Sequence, residues 1–231
     1  VAVPTSVGYG ASFSGLAGHV AVEDHAVPGS RERVMVLAGP SGSGKSRLAG
    51  RLHSAYGWPI VRLDDFYRDG NDPDLPKHDT LGIPDWDDPR SWHQESAVRA
   101  LVELVDNGCA QIPEYDLATS RATGSHEVLA AREHLIVAEG IFAAEAINDL
   151  RDAGVLHSAW CITQGRTVTF VRRLVRDLAE RRKSPRVLVQ RGWALRAAEP
   201  EVVARQVALG ATCARPSDVE ALVAPRSPAL G

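Results

Sequence analysis

The stretch Gly39-Pro40-Ser41-Gly42-Ser43-Gly44-Lys45-Ser46 constrains this chain more than any other, because it matches G-x-x-x-x-G-K-[ST] in full. It follows Arg33-Val34-Met35-Val36-Leu37-Ala38, a short apolar run rich in β-branched residues that reads as a buried strand. From Lys45 to about Tyr56 the pattern becomes helical, and Gly57, Trp58 and Pro59 end it before a second short strand, Ile60 to Leu63. A glycine-rich turn between a buried strand and a helix lets successive backbone N–H groups curl inward around a phosphate, aided by the positive end of the helix. Gly39, Ser41, Gly42, Ser43, Gly44, Lys45 and Ser46 are therefore the candidate nucleotide-binding residues. Lys45 would add a point charge toward the β- and γ-phosphates, and the Ser46 hydroxyl is the expected Mg²⁺ ligand. The motif alone does not separate kinases from other P-loop nucleotide hydrolases. The chain contains neither an N-K-x-D guanine-reading sequence nor an L-S-G-G-Q signature, which argues against GTPases and transporter ATPases.

Short strands alternating with helices imply an α/β fold of the P-loop type, three layers with a mostly parallel sheet and a helical lid. With 231 residues and 44% hydrophobic composition, the chain can bury one sizeable core, removing roughly 70% of its unfolded surface from water. The expected organisation is an extended or poorly ordered leader over 1–30 and a kinase-like domain over 31–213 that includes a lid at about 172–190. A C-terminal tail over 214–231 follows.

Within the domain, a polar segment from Asp64 to Pro89 reads as a functional loop. Ser91 and Gln94 form a capping-box pattern ahead of a helix whose apolar stripe, Ala97, Val98, Leu101, Val102 and Val105, stops at Asn107-Gly108. Gln111 to Tyr115 reads as a strand, the following residues to about Ser125 as a loop, and Leu135 to Ala138 and Leu156 to Ile162 as further core strands.

The 26 basic and 29 acidic residues leave a formal charge of −3, so no global basic excess points to nucleic acid or an anionic membrane as a partner. Cys109, Cys161 and Cys213 are widely spaced, without the C-x-x-C pairing of zinc or redox sites. No basic residue precedes Arg31, and the apolar runs are far too short to span a bilayer, so a cytoplasmic location is expected. A small-molecule partner is expected, and homo-oligomerisation is left open.

Transfer of a phosphoryl group to an alcohol needs a carboxylate that positions the hydroxyl and takes its proton. Asp64, directly after the second strand, lies where ligands of such sheets collect. If the chain is extended there, Asp65 points elsewhere and only one of the pair faces the acceptor.

The ordered set Gly39 to Ser46, Asp64-Asp65-Phe66-Tyr67, Trp86-Asp87-Asp88-Pro89, Pro113-Glu114-Tyr115-Asp116 and Glu139-Gly140-Ile141 resembles uridine kinases and the wider uridine kinase and phosphoribulokinase superfamily. The resemblance runs from about Val34 to Arg186. It implies ATP as donor, Mg²⁺ as cofactor and the 5′-hydroxyl of a pyrimidine nucleoside as acceptor. Asp64 would be the base, Tyr67 and Tyr115 would contact the nucleobase, Asp87 would hold the ribose hydroxyls, and Glu139 would lie near Mg²⁺ or its waters. Arg176 and Arg181 correspond to lid arginines that would neutralise the transferred group, Lys183 less clearly so.

Plainer readings stand beside these: lip or core aromatics for the tyrosines, and a helix surface laced with i,i+4 pairs for Arg173, Asp177 and Arg181. Uridine kinases carry a histidine a few residues beyond the tyrosine of the acceptor loop. This chain reads Tyr115-Asp116-Leu117-Ala118-Thr119-Ser120-Arg121, one residue shorter and without that histidine. Thr119, Ser120 or Arg121 can supply a substitute hydrogen bond. Otherwise the acceptor is a different alcohol, pantothenate-like or sugar-phosphate-like, or the chain is a nucleotide-binding regulator without transfer activity.

Overall fold

A computed structural model describes residues 30–78, 82–164 and 199–224. Five strands form one parallel sheet in the order β2-β5-β1-β6-β7: β1 (Val34–Ala38), β2 (Ile60–Arg62), β5 (Ile136–Glu139), β6 (Leu156–Ile162) and β7 (Thr212–Ala214). Strand β1 lies at the centre, and its residues alternate between two cores. Val34, Val36 and Ala38 face one side with helix α2 (Gln94–Asn107), helix α3 (Ile147–Asp152) and part of β3 (Cys109–Asp116). Met35 and Leu37 face the other with helix α1 (Lys45–Tyr56) and helix α5 (Pro216–Val223). All five β1 residues are fully buried, and each large apolar side chain so removed from water contributes about 1.5–3 kcal/mol. Helices on both faces explain why the central strand reads as a continuous apolar run rather than an alternating one.

Local chemistry sets the ends of the helices. Gly57 and Gly108 close α1 and α2 in the left-handed conformation, their N–H groups reaching His53 O and Leu104 O. Helix α2 begins after His93 without a side-chain cap. Ser91, expected as its cap, is instead buried in a 3₁₀ turn, Pro89–Ser91, begun by the Asp88 side chain accepting from Arg90 N.

Strand β3 pairs antiparallel with β4 (Arg121–Leu129), so much of what reads as a loop is a hairpin, joined by residues 117–120. Strand β4 is almost wholly exposed, which is why no apolar alternation reveals it. The boundary expected after residue 213 falls within β7. Residues 216–223, expected as tail, form α5, with Val219 and Val223 buried against α1 and Pro216 in its first turn. A helix described over 199–208, α4, precedes β7.

The expected lid at about 172–190, with Arg176, Arg181 and Lys183, and all but the last residue of the expected leader lie outside the described residues. Among the described residues, no helix is long and apolar enough to cross a membrane.

Candidate active site

The parallel sheet brings the carboxyl ends of β1, β2, β5 and β6 to one edge, delivering Gly39, Leu63-Asp64, Gly140 and Thr163 there. The turn after β1 takes positive φ at Gly39 (138°), Gly42 (84°) and Gly44 (102°). A Cβ on Gly39 would lie 2.5 Å from Ile162 O, so the first glycine is demanded by space as well as by conformation. Lys45 is buried and donates from Nζ to Gly39 O at 2.7 Å and to Pro40 O at 3.2 Å, folding its ammonium over the loop. The Ser43 hydroxyl is buried, with no hydrogen-bond partner among the described residues. Left-handed glycines, an inward ammonium and an orphaned hydroxyl together fit a phosphate chain.

On the first turn of α1, Ser46 Oγ donates to Glu139 Oε2 at 3.2 Å. Glu139 ends β5 and is buried, and burial pushes its carboxyl above the ordinary glutamate range. Lys45 opposes that shift, and Asp64 adds to it. A buried carboxylate beside a serine hydroxyl at the phosphate loop suits a divalent cation whose remaining ligands are phosphate and water oxygens. Among the described residues, no group of three or more His, Cys, Asp or Glu makes a closed metal cage.

The chain after β2 is a 3₁₀ turn, Leu63–Phe66, not an extended segment. The two carboxylates still diverge, because adjacent residues of a 3₁₀ turn are about 120° apart. Asp64 Oδ1 accepts from Ile141 N at 3.0 Å. Gly140 must be bare there, since a Cβ would meet Asp64 Oδ1 at 2.9 Å and Leu63 Cβ at 3.1 Å. Asp65 turns instead toward the hairpin, buried, with Arg62 Nε at 3.9 Å. Burial raises its carboxyl, and Arg62 partly offsets this.

Tyr67 lies at the centre of an aromatic wall, its ring centroid 5.7 Å from Trp86, 5.8 Å from Tyr115 and 6.0 Å from Phe142. Burial first, then the neighbouring charges of Asp64 and Asp87, push its phenol upward, so Asp64, Tyr67 and Asp87 share one neighbourhood. Tyr115 donates to Arg68 O at 2.8 Å, and burial pushes its phenol up to about 12. Asp87 is exposed, on a turn held by its N–H to Asp85 Oδ1.

The turn that would read a base is occupied with its own structure. Asp116 accepts from Ala118 N and Thr119 Oγ1, Ser120 sits at φ 53° beside the Tyr115 hydroxyl, and Gly70 N–H donates to Ser120 O at 2.7 Å. Arg121 is exposed opposite Asp116. Among the described residues, no hydrogen bond or ion pair joins it to Asp64, Tyr67 or Asp87.

Sequence reasoning missed Trp86 and Phe142 as members of the wall, although both adjoin quoted motifs. It also missed a cleft of about 440 Å³ beside the phosphate loop, lined by Gly44, Arg47, Arg51, Gln164, Arg215, Pro216 and Ser217. Arg47 follows Ser46 directly and was within reach of the motif. Arg215 arrives only through the pairing of β7 with β6. A larger cavity, about 950 Å³, lies between α2 and the hairpin, with Tyr67 on its wall and none of the phosphate-loop residues lining it.

A parallel sheet ending in this loop, with one carboxylate beside the serine and another on the neighbouring strand end, defines the class of P-loop kinases. The family model described as Phosphoribulokinase / Uridine kinase family matches residues 34–206, and the chain belongs to that family. Its chemistry is phosphotransfer to an alcohol. A uridine kinase of Deinococcus deserti is 29% identical over 164 residues, covering 69% of this chain and 75% of that protein. One from Schizosaccharomyces pombe is 30% identical over 156 residues, 65% of this chain and 33% of that protein. A crystal structure described as a fructose transport system kinase candidate from Silicibacter sp. TM1040 superposes with a TM-score of 0.57 at 22% identity. It covers 80% of this chain and 89% of that one, a likeness of fold.

Proposed function

We propose that this chain transfers the γ-phosphoryl group of ATP to the 5′-hydroxyl of a pyrimidine nucleoside, with Asp64 as the base. The observation that carries this reading is the seat of the Asp64 carboxylate, fixed by the Ile141 amide on the same sheet edge as Lys45 and the Ser46–Glu139 pair. In the reaction the acceptor oxygen forms a bond to the γ-phosphorus, the bond from that phosphorus to the β,γ-bridging oxygen breaks, and the hydroxyl proton passes to Asp64. ADP leaves. Lys45, folded on Gly39 O and Pro40 O, would turn its ammonium to β- and γ-phosphate oxygens held in the cradle.

Gly39, Ser41, Gly42, Ser43 and Gly44 shape that cradle, and Ser46 with Glu139 would hold Mg²⁺. The ion supplies neutralisation of charge on the β- and γ-oxygens. The cleft of Arg47 and Arg215 suits the donor's base and ribose. Tyr67 and Tyr115 offer ring faces to the acceptor, Asp87 its carboxylate to neighbouring hydroxyls, and Arg121 a donor from the hairpin. Arg176 and Arg181 are assigned to the closing lid by family resemblance alone. The 25–30% identities to uridine kinases support the nucleoside reading.

A second acceptor class, a non-nucleoside alcohol of pantothenate or sugar-phosphate type, is favoured by the hairpin turn. Its Thr119 hydroxyl is committed to Asp116, and no histidine stands in residues 115–121.

The test is ADP release by the full chain with ATP and Mg²⁺ over a panel of nucleosides and other alcohols, with Asp64→Asn and Lys45→Ala as controls. Turnover with uridine or cytidine, lowered about 10²–10⁴-fold by Asp64→Asn, supports the first reading. Turnover with another alcohol alone selects the second. ATP binding without turnover on any acceptor leaves a nucleotide-binding regulator.

A further inference from the structure

We infer that Gln206 and Cys161 are positioning residues for the acceptor-side carboxylate, holding the Ile141 turn from behind so that its N–H stays aimed at Asp64. The inference rests on the reading of Asp64 as the base. The connection is continuous: Cys161 Sγ donates to Gln206 Oε1 at 3.2 Å, Gln206 Nε2 donates to Ile141 O at 3.3 Å, and Ile141 N donates to Asp64 Oδ1 at 3.0 Å. The orientation of the amide follows from its neighbours. A backbone carbonyl only accepts, so Nε2 must face Ile141, and a protonated thiol can then donate to Oε1. Burial, with the Cys213 thiol on the adjoining strand adding to it, pushes the Cys161 thiol above its ordinary range, so it keeps its proton at neutral pH.

Gln206 is 4% exposed on α4 and Cys161 is fully buried on β6. An amide withdrawn from water stabilises little unless both its ends are bonded, and an apolar side chain of equal length would fill the space without that desolvation. What the amide adds is a fixed point for Ile141. From the other side, Gly140 N–H reaches Leu37 O at 3.4 Å on β1. The turn is thus held between the central strand and α4 while its front presents one N–H to Asp64. A catalytic carboxylate misplaced by about 1 Å can lose as much as 10²-fold in rate.

The test uses Gln206→Met, which keeps length and removes both polar atoms, and Cys161→Ser, which keeps a donor toward Oε1. Amide hydrogen exchange in the ¹⁵N-labelled full chain, without ligand, is the readout independent of turnover. Exchange at Ile141 is expected to quicken about 10-fold or more in Gln206→Met while Met35 and Val36 of β1 keep their rates, and to stay near wild type in Cys161→Ser. With ATP and the best acceptor of the panel, Gln206→Met is expected to lower kcat about 10-fold with KM for ATP within about twofold, and to lower it no further in the Asp64→Asn background.

Unchanged exchange at Ile141, or equal acceleration of Ile141, Met35 and Val36, overturns the inference and leaves Gln206 a packing residue. If Asp64→Asn turns over like wild type, the base assignment fails, whatever Gln206 does. If Asp64→Asn is inactive while Gln206→Met matches wild type, only the positioning role fails.

Discussion

Ser46, on the first turn of α1, and Glu139, the last residue of β5, meet across the sheet edge with Oγ and Oε2 3.2 Å apart. The contact joins the phosphate loop to the strand that also leads into Gly140 and the Asp64 seat. It also keeps a carboxylate buried, where its negative charge is unfavourable.

That relationship gives a pH dependence. Burial raises the Glu139 carboxyl in the folded chain, and Lys45 only partly opposes this. A carboxyl with a raised folded pKa favours the folded state fully below the unfolded glutamate value. The benefit is lost as pH climbs through the folded value. Without ligand, wild-type stability is therefore expected to fall from about pH 4.5 upward by an amount that Glu139→Gln lacks. Thermal melts of both proteins between about pH 4 and pH 8 read the difference, with the variant melting higher at neutral pH. In the ADP-release assay the same variant should lose at least about 10-fold in kcat.

Two glycines separate steric need from helix propensity. Gly140→Ala drives a methyl toward Asp64 Oδ1, 2.9 Å away, and is expected to cut kcat about 10-fold or more with ATP binding retained. Gly50→Ala in α1 meets nothing within 4 Å and should stabilise the fold by about 0.5–1 kcal/mol. Nucleotide titration with kinetics reads the first, and denaturant unfolding the second.

Arg33 is a purely structural counterpart. Only 3% exposed, it donates to His134 O at 3.0 Å, Val105 O at 3.4 Å and Ala131 O, tying β1 to the end of α2 and the turn before β5. Arg33→Met should destabilise the fold by about 2–4 kcal/mol in denaturant unfolding. At temperatures where the variant remains folded, KM for ATP should be unchanged.

On the proposed reading, the hairpin turn bears on the acceptor alone. Asp116 accepts from Ala118 N at 2.8 Å and from Thr119 Oγ1 at 2.9 Å, and those bonds hold its carboxyl below the ordinary range. Asp116→Ala is expected to raise KM for the acceptor about threefold or more while KM for ATP stays constant. Initial-rate kinetics with each substrate varied in turn checks this.

The phosphate loop was legible because its chemistry needs glycines and a lysine at fixed spacing, and the core strands because burial on both faces leaves uninterrupted apolar runs. Strand β4 was not, since Arg121 to Glu127 is polar and its turn contains no glycine. The chain there relies on the Asp116 side chain and on Ser120 at positive φ. Ser91 misled because a capping serine and a buried serine of a 3₁₀ turn have the same letters around them. Helix α5 was hidden behind Pro216, which starts it instead of preventing it. Gln206 carries no local signal, because its partner Ile141 lies 65 residues away.

Adjacent parallel strands carry the donor loop and the Gly140-Ile141 turn, so the distance between the two halves of the chemistry is set by strand pitch in a stiff layer, not by loops. The wall around Tyr67 and the hairpin is hung outside that layer. On the proposed reading, such a division of labour lets acceptor preference change by remodelling the periphery while the phosphate loop is left as it is, and makes residues 67–78, 82–92 and 115–121 the natural targets for re-engineering the acceptor.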